Sequence, residues 1–258
     1  MNRTLISLAF CAASMVASAA FAAELTAAQI VDKNAAARGG QAAWLAVNSL
    51  AMSGDMDAGG KTGAMLPYVL SLKRPHKSRL EIRFQDQTAL QIFDGKQGWK
   101  YRPYLGRTEA EALTPVELAA AAAADDLDGP LIDHARKGAK VELQGMDKVE
   151  GKSAYKLKLT QRTGASRNVW VDASSFLEVK IDGEPRKLDG RAHKVAVFFR
   201  DYKTEGGLNI PHTLETVVDG VKQTRKIVVK SVTVNPKLDD ALFAKPQPGA
   251  AGARAAAL

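Results

Sequence analysis

The stretch YVLSLKRPHKSRLEIRFQDQTALQIFDGKQGWKYRPY, residues 68–104, decides the fold. Two segments of it carry apolar side chains at every second position: Tyr68, Leu70 and Leu72, then Leu80, Ile82 and Phe84. In the second segment Arg79, Glu81 and Arg83 occupy the alternate positions. Successive side chains of a β-strand point to opposite faces, so this period of two predicts a meander with one apolar and one charged, solvated face.

Strand signals continue on both sides of this stretch. Short Gly, Asp and Asn turns separate most of them, which predicts antiparallel hairpins rather than a parallel sheet. Capping boxes begin two helices, at Thr26 with Gln29 and at Thr114 with Glu117, and a short helical piece lies at 41–47. The expected strands are 50–57, 68–73, 78–84, 88–93, 98–101, 140–145, 153–160, 167–171, 177–181, 194–202, 211–218 and 221–234.

The number of helices is small for the number of strands. About twelve strands offer one long apolar face, which must be buried, and only two modest amphipathic helices are present to cover it. The sheet therefore either closes into a barrel or curls around the helices. Aromatic residues make up only 6% of the chain, so few large side chains can fill the middle. This favours an apolar cavity over the alternative, a fully packed sandwich core.

Both ends of the chain look distinct from the folded part. Asn2-Arg3, an apolar run and Ala20-Phe21-Ala22 are typical of a secretory signal peptide, predicted at residues 1–22 with cleavage after Ala22. The only cysteine, Cys11, lies within it, so no disulfide is expected in the mature protein. We expect export to the periplasm of a Gram-negative bacterium, one domain over residues 23–246, and a disordered Ala-Gly tail at 247–258.

Catalytic apparatus is missing from the sequence. The four histidines are scattered, and the acids at 125, 126 and 128 do not have the spacing of a calcium loop. No cofactor or metal is expected, and the protein is not expected to be an enzyme. The net charge of +8 attracts anions of any kind, but export argues against nucleic acid as a partner and makes anionic lipid the better candidate. A surface charge that only keeps the protein soluble is an alternative favoured over both.

The stretch resembles the LolA-like family of periplasmic lipoprotein carriers. The likeness is carried by Lys73-Arg74-Pro75, then Asp94-Gly95-Lys96, then Trp99, Tyr101, Pro103 and Tyr104. Later segments, 169–180 and 238–243, are similar to the family's second hairpin and closing segment. The chain departs from the pattern at His76-Lys77-Ser78, where the family has aromatic residues, and between residues 106 and 140.

The resemblance implies a mainly β (α+β) fold, a curved antiparallel sheet forming an unclosed half-barrel that a few helices cover as a lid. It implies a carrier that shields the acyl chains of a lipoprotein or another lipid, with an inner-membrane transporter and an outer-membrane acceptor as partners. The family's functional arginine falls on Arg74. The expected ligand-binding residues are Arg74, Met52, Met56, Leu70, Leu72, Leu80, Ile82, Phe84, Leu90, Ile92, Trp99 and Tyr101.

Several alternatives stay open from the residues alone. Arg74 fits a solvated charge at a strand end equally well, and Trp99 and Tyr101 fit ordinary core packing. A lipid-sensing accessory module of a membrane partner is the first rival function. A hydrolase with an unrecognised carboxylate site is the second.

Overall fold

The computed structural model describes residues 25–57, 59, 63–124 and 127–247. The predicted signal peptide at 1–22 lies outside these residues, as does the predicted tail apart from Gln247. None of the described helices is long and apolar enough to cross a membrane.

The architecture is a single antiparallel sheet of 13 strands in the described residues. Its spatial order is β6-β5-β4-β3-β2-β1-β13-β12-β11-β10-β9-β8-β7, so β6 and β7 are free edges and the sheet does not close. This confirms the predicted fold class. The strands are Ser49–Asp57 (β1), Met65–Lys73 (β2), Lys77–Phe84 (β3), Gln87–Phe93 (β4), Gly98–Tyr101 (β5), Glu111–Ala112 (β6), Lys140–Val149 (β7), Lys152–Thr160 (β8), Ser166–Asp172 (β9), Glu178–Leu188 (β10), Arg191–Glu205 (β11), Leu208–Val218 (β12) and Arg225–Val234 (β13).

Three α-helices accompany the sheet in the part of the chain that the structure describes: Ala27–Ala37 (α1), Gln41–Leu45 (α2) and Pro115–Ala124 (α3). Both predicted capping boxes are present. Thr26 and Gln29 cap each other reciprocally at the start of α1, and Thr114 and Glu117 do so at the start of α3. Short 3-10 turns lie at Pro103–Leu105 and Asp240–Phe243.

One face of the sheet, here called the inner face, carries α1 and the irregular segment 127–138. Over β7–β11, Ile30 of α1 and Leu131 of the segment are fully buried against this face. Their partners in the same cluster are Leu157, Leu159, Val169, Val171 and Ile181. This part of the inner face is a closed apolar core.

Over β1, β12 and β13 the inner face is covered by α2 and its flanks. Trp44 of α2 and Val47 pack on Leu50, Leu208 and Ile210. Farther along the sheet, α3 touches β4 only lightly, where Leu118 and Ala121 contact Phe93. Cover over the inner face therefore thins from β13 towards β4.

The opposite, outer face of β3–β5 is also covered. Residues 238–243, here called the C-terminal strap, lie on it, with Phe243 almost fully buried. Beneath the strap Arg79 Nε donates to Glu81 Oε1 at 2.8 Å, and Arg79 Nη1 donates to the carbonyl of Leu242. The prediction that these two charges form a solvated face is wrong: both are buried, because a segment more than 150 residues away in sequence folds over them.

Candidate functional site

An incompletely covered apolar surface lies on the inner face of β1–β3. Met52 of β1 stands opposite Leu70 of β2, which stands opposite Leu80 of β3, so the three side chains form one row across the strands. Neighbouring positions of the same face extend this row into what we call the apolar strip: Met52, Met56, Leu70, Leu72, Leu80 and Ile82. All six are half-buried, in contrast to the fully buried core over β7–β11.

The two ends of the apolar strip differ. At one end Leu50 and Leu72 join the cluster around Trp44, and α2 closes the surface. At the other end Phe84 is the last residue of β3 on the inner face, and its side chain is 41% exposed. The strip is therefore closed near Arg74, which follows β2, and open near Phe84, which ends β3. Because β2 and β3 are antiparallel, these two residues lie at opposite ends of the strip.

Four of the predicted ligand-binding residues lie elsewhere. Leu90, Ile92, Trp99 and Tyr101 sit on the outer face and pack against the C-terminal strap. The pairing explains why: Ile92 stands opposite Arg79, so it shares a side with the charges rather than with Leu80. Strand β4 buries side chains on both faces, Leu90 and Ile92 on one and Ala89 and Phe93 on the other, so its alternation does not show which side is inner. The sequence-based prediction therefore combined residues from two opposite faces of the sheet into one site.

Tyr68 contributes the polar group on the floor of the inner face. It stands opposite Gly54 on one side and Ile82 on the other. Burial, together with the nearby Asp55 carboxylate, raises the pKa of its phenol to about 12. The hydroxyl therefore stays neutral at any physiological pH, so it adds no charge to the apolar surface.

Arg74 follows β2 at the closed end of the strip. Its Nε donates to the carbonyl of Val47 at 2.8 Å and its Nη2 to the carbonyl of Trp44 at 3.4 Å. The same Nη2 donates to Asp128 Oδ2 at 2.8 Å. A guanidinium in this position links the sheet, the α2 region and the segment 127–138. It is not a free, solvated strand-end charge.

Asp128 is the centre of this arrangement and is only 1% exposed. Lys137 Nζ lies 2.5 Å from its Oδ1 and also donates to the carbonyl of Gly129. Burial raises the pKa of the Asp128 carboxyl, but hydrogen bonds from Lys137 and Arg74, with their charges, outweigh it, and the net shift is downward. We call Arg74, Asp128 and Lys137 the latch. In the sequence Asp128 is one of three clustered acids without the spacing of a calcium loop, and its cationic partners could not be recognised because they are 54 and 9 residues away.

A second buried ion pair, between Arg38 and Glu178, lies next to the latch. Arg38 Nη1 donates to the backbone carbonyl of Asp128 at 2.9 Å and to Glu178 Oε1 at 3.2 Å. Its guanidinium also lies 4.3 Å from the ring centroid of Trp44. Arg38 thus fixes the chain at Asp128 against both α2 and β10.

The first turn of α3 is tied to the inner side of β5. Lys100 Nζ donates to both carboxylate oxygens of Glu117, at 2.6 and 2.7 Å. The Lys100 hydrogen bond, followed by the cap at Thr114, lowers the pKa of Glu117 to about 2. Beyond this tie α3 is an alanine run with Leu118 and Ala121 as its apolar contacts, while Val116 is 80% exposed. The helix is thus held at one end and weakly packed along its length.

Within the described part of the chain no group of three or more His, Cys, Asp or Glu side chains is placed to hold a metal ion. No protein-family model matches the chain, and no curated protein matches it either.

Solved structures do resemble it. A LolA superfamily protein from Nitrosomonas europaea superposes with a TM-score of 0.56 at 16% identity, over 86% of this chain and 99% of that one. A DUF1329 family protein from Desulfovibrio piger gives 0.58 at 15% identity, over 86% and 98%. A domain from Vibrio parahaemolyticus assigned to outer membrane lipoprotein sorting gives 0.53 at 12% identity, over 83% and 94%. The chain has the LolA-like fold.

Proposed function

We propose that this protein binds the acyl chains of a lipid or lipoprotein on the apolar strip and carries them through the periplasm between two membranes. The observation that carries the proposal is the contrast within one face of one sheet. The inner face is sealed over β7–β11 but only half-covered over β1–β3, where the side chains of the apolar strip are aliphatic or methionine. An apolar surface of this kind costs free energy unless something occupies it.

The chemistry of the strip fits an acyl chain. Each methylene removed from water contributes about 0.8 kcal/mol, so a chain of about 16 carbons supplies ample driving force. Met52 and Met56 are unbranched and adaptable, and they suit cargo of variable length. The neutral hydroxyl of Tyr68 is the nearby group able to hydrogen-bond an ester carbonyl.

A carrier must also release its cargo, and the latch and α3 supply the movable cover. Arg74 holds the carbonyls of Trp44 and Val47 and the Asp128 carboxylate together at the closed end of the strip. An acyl chain that extends past the closed end of the strip displaces this cover. When the acyl chain leaves, the latch forms again, and the free energy of the re-formed latch offsets part of the free energy of lipid binding. The function needs no bond making or breaking, and we propose that the protein is not an enzyme.

The fold supports the same reading. One structural neighbour is assigned to outer membrane lipoprotein sorting, and two others are of the LolA superfamily and the DUF1329 family. By this analogy the donor is an inner-membrane transporter and the acceptor an outer-membrane receptor.

The test is the lipid content of the protein purified from its own periplasm. An organic extract analysed by mass spectrometry should contain acylated material in near-stoichiometric amount. Leu70→Trp, which fills the strip, should remove it. Leu188→Trp is the matched control, since Leu188 is an exposed leucine at the end of β10, away from the strip. Equal amounts of lipid in Leu70→Trp and Leu188→Trp, or no lipid in the wild type, would contradict the carrier proposal.

A further inference from the structure

The open end of the apolar strip continues into a cluster of exposed large side chains. Phe84, Tyr104 and Leu105 are 41%, 46% and 55% exposed. The rings of Phe84 and Tyr104 meet edge to face with centroids 6.2 Å apart, so the end of β3 and the 3-10 turn after β5 form one surface. We call Phe84, Tyr104 and Leu105 the rim.

We propose that the rim inserts into the interfacial region of a phospholipid bilayer and brings the open end of the apolar strip to the membrane surface. This inference deepens the proposed function and rests on it. Aromatic rings with one polar edge, such as Tyr104, and aliphatic side chains beside them are the composition that prefers the boundary between headgroups and acyl chains. A cluster of apolar groups left in water needs an occupant of this kind.

The charges around the rim decide which kind of surface it contacts. The charged residues near the rim in sequence are Arg83, Arg102 and Arg107 and, with the opposite sign, Asp86, Glu109 and Glu111. Arg102 and Arg107 each reach Glu111 at 3.3 Å. Three positive and three negative groups cancel, so the rim has no net attraction for an anionic surface or an acidic protein. Apolar insertion is left as the driving force, and it is insensitive to salt.

Continuity with the strip identifies the bilayer rather than a protein as the occupant. Phe84 is both the last inner-face residue of β3 and a member of the rim. An acyl chain leaving a membrane along the rim would therefore pass onto Ile82 and Leu80 without crossing a polar surface. A rim that bound a second copy of this chain would block the same path.

The experiment is co-sedimentation of the mature protein with phosphatidylcholine vesicles at low and at high salt. Wild type should bind equally at both, and the double variant Phe84→Ser with Leu105→Ser should bind about tenfold or more weakly, from the apolar area removed. The control is Met146→Ser with Leu188→Ser, which removes two exposed apolar side chains far from the rim and should bind like wild type. If the double variant does not fold, Leu105→Ser alone must show a smaller loss in the same direction.

Three results would overturn the rim proposal: no sedimentation of wild type, equal losses in rim and control variants, or binding that requires anionic lipid and disappears at high salt. Gel filtration that shows a dimer of wild type and a monomer of the rim variant would assign the rim to a second copy instead. Binding of monomeric lysophosphatidylcholine separates the two proposals. The rim variant should keep it, and its absence in wild type would count against the apolar strip rather than the rim.

Discussion

Two regions of the same inner face solve the problem of an apolar sheet surface in different ways. Over β7–β11, α1 and the segment 127–138 contribute Ile30 and Leu131, and both are fully buried. Over β1–β3 the sheet presents comparable aliphatic side chains, but α3 is alanine-rich and contacts β4 and Lys100 of β5 instead. The difference teaches that cover, rather than strand composition, distinguishes the sealed core from the half-exposed strip here. One half stabilises the fold, and the other is the surface that we propose binds a ligand.

The largest expected effect separates the two halves by stability. Leu131→Ala should lower the free energy of unfolding by about 3 kcal/mol, because it opens a cavity in the sealed half. Leu80→Ala should lower it by less than about 1.5 kcal/mol, since the side chain is already half-exposed in the folded state. Urea unfolding followed by circular dichroism measures both. Equal losses would show that the strip is a conventional core.

The next effect concerns the latch that closes one end of the strip. Asp128→Asn should cost about 2 kcal/mol at neutral pH, because Arg74 and Lys137 lose their shared partner while both keep some access to water. Arg74→Leu should cost about 1 kcal/mol, since Lys137 still pairs with the carboxylate. Thermal unfolding compares the two variants. A larger loss for Arg74→Leu would contradict a latch centred on Asp128.

The latch should also be sensitive to acid. The pKa of Asp128 is lowered in the folded protein, so the unfolded chain takes up the proton first as pH falls. Its stabilisation is complete above the unfolded pKa of about 4 and is lost as pH falls through the lower folded value. The stability difference between wild type and Asp128→Asn should therefore shrink below about pH 4. A stability difference that stays constant below about pH 4 would show that the charge of Asp128 does not stabilise the fold.

The smallest effect concerns α3. Glu117→Gln should change global stability by only about 0.5 kcal/mol, because the carboxylate is 40% exposed and its ion pair is screened by solvent. Hydrogen exchange of the α3 amides should nevertheless become faster, since Lys100 ties this helix to β5. Arg136→Gln removes another surface pair, with Asp133, and serves as the control that leaves α3 exchange unchanged. Unchanged exchange in Glu117→Gln would mean that apolar contacts alone hold the helix.

The sequence predicts local features well. Each of the twelve expected strands is present, most of them with shifted ends, and both capping boxes form, because alternation and caps depend on near neighbours. Strand β6 was missed, since two residues carry no periodicity. The alternation of β3 also separates Leu80 and Ile82 from Arg79 and Glu81 correctly.

Features set by distant contacts could not be predicted in this way. Whether Arg79 is solvated depends on Leu242, and whether Trp99 faces inward depends on the C-terminal strap. The partners of Asp128 likewise come from distant positions: Arg74 lies just after β2, and Lys137 lies in the irregular segment 127–138. A strand such as β4, with buried side chains on both faces, gives no local signal for choosing between the two faces.

The methionines of the described chain provide the most direct test of the central claim, that the strip on β1–β3 is where lipid binds. Met52 and Met56 lie on the strip, whereas Met146, at 56% exposure, lies on the far edge strand β7. In methyl-labelled protein titrated with monomeric lysophosphatidylcholine, the NMR signals of Met52 and Met56 should shift and saturate while that of Met146 stays in place. Shifts at Met146 alone, or equal shifts at all three, would contradict binding on the strip.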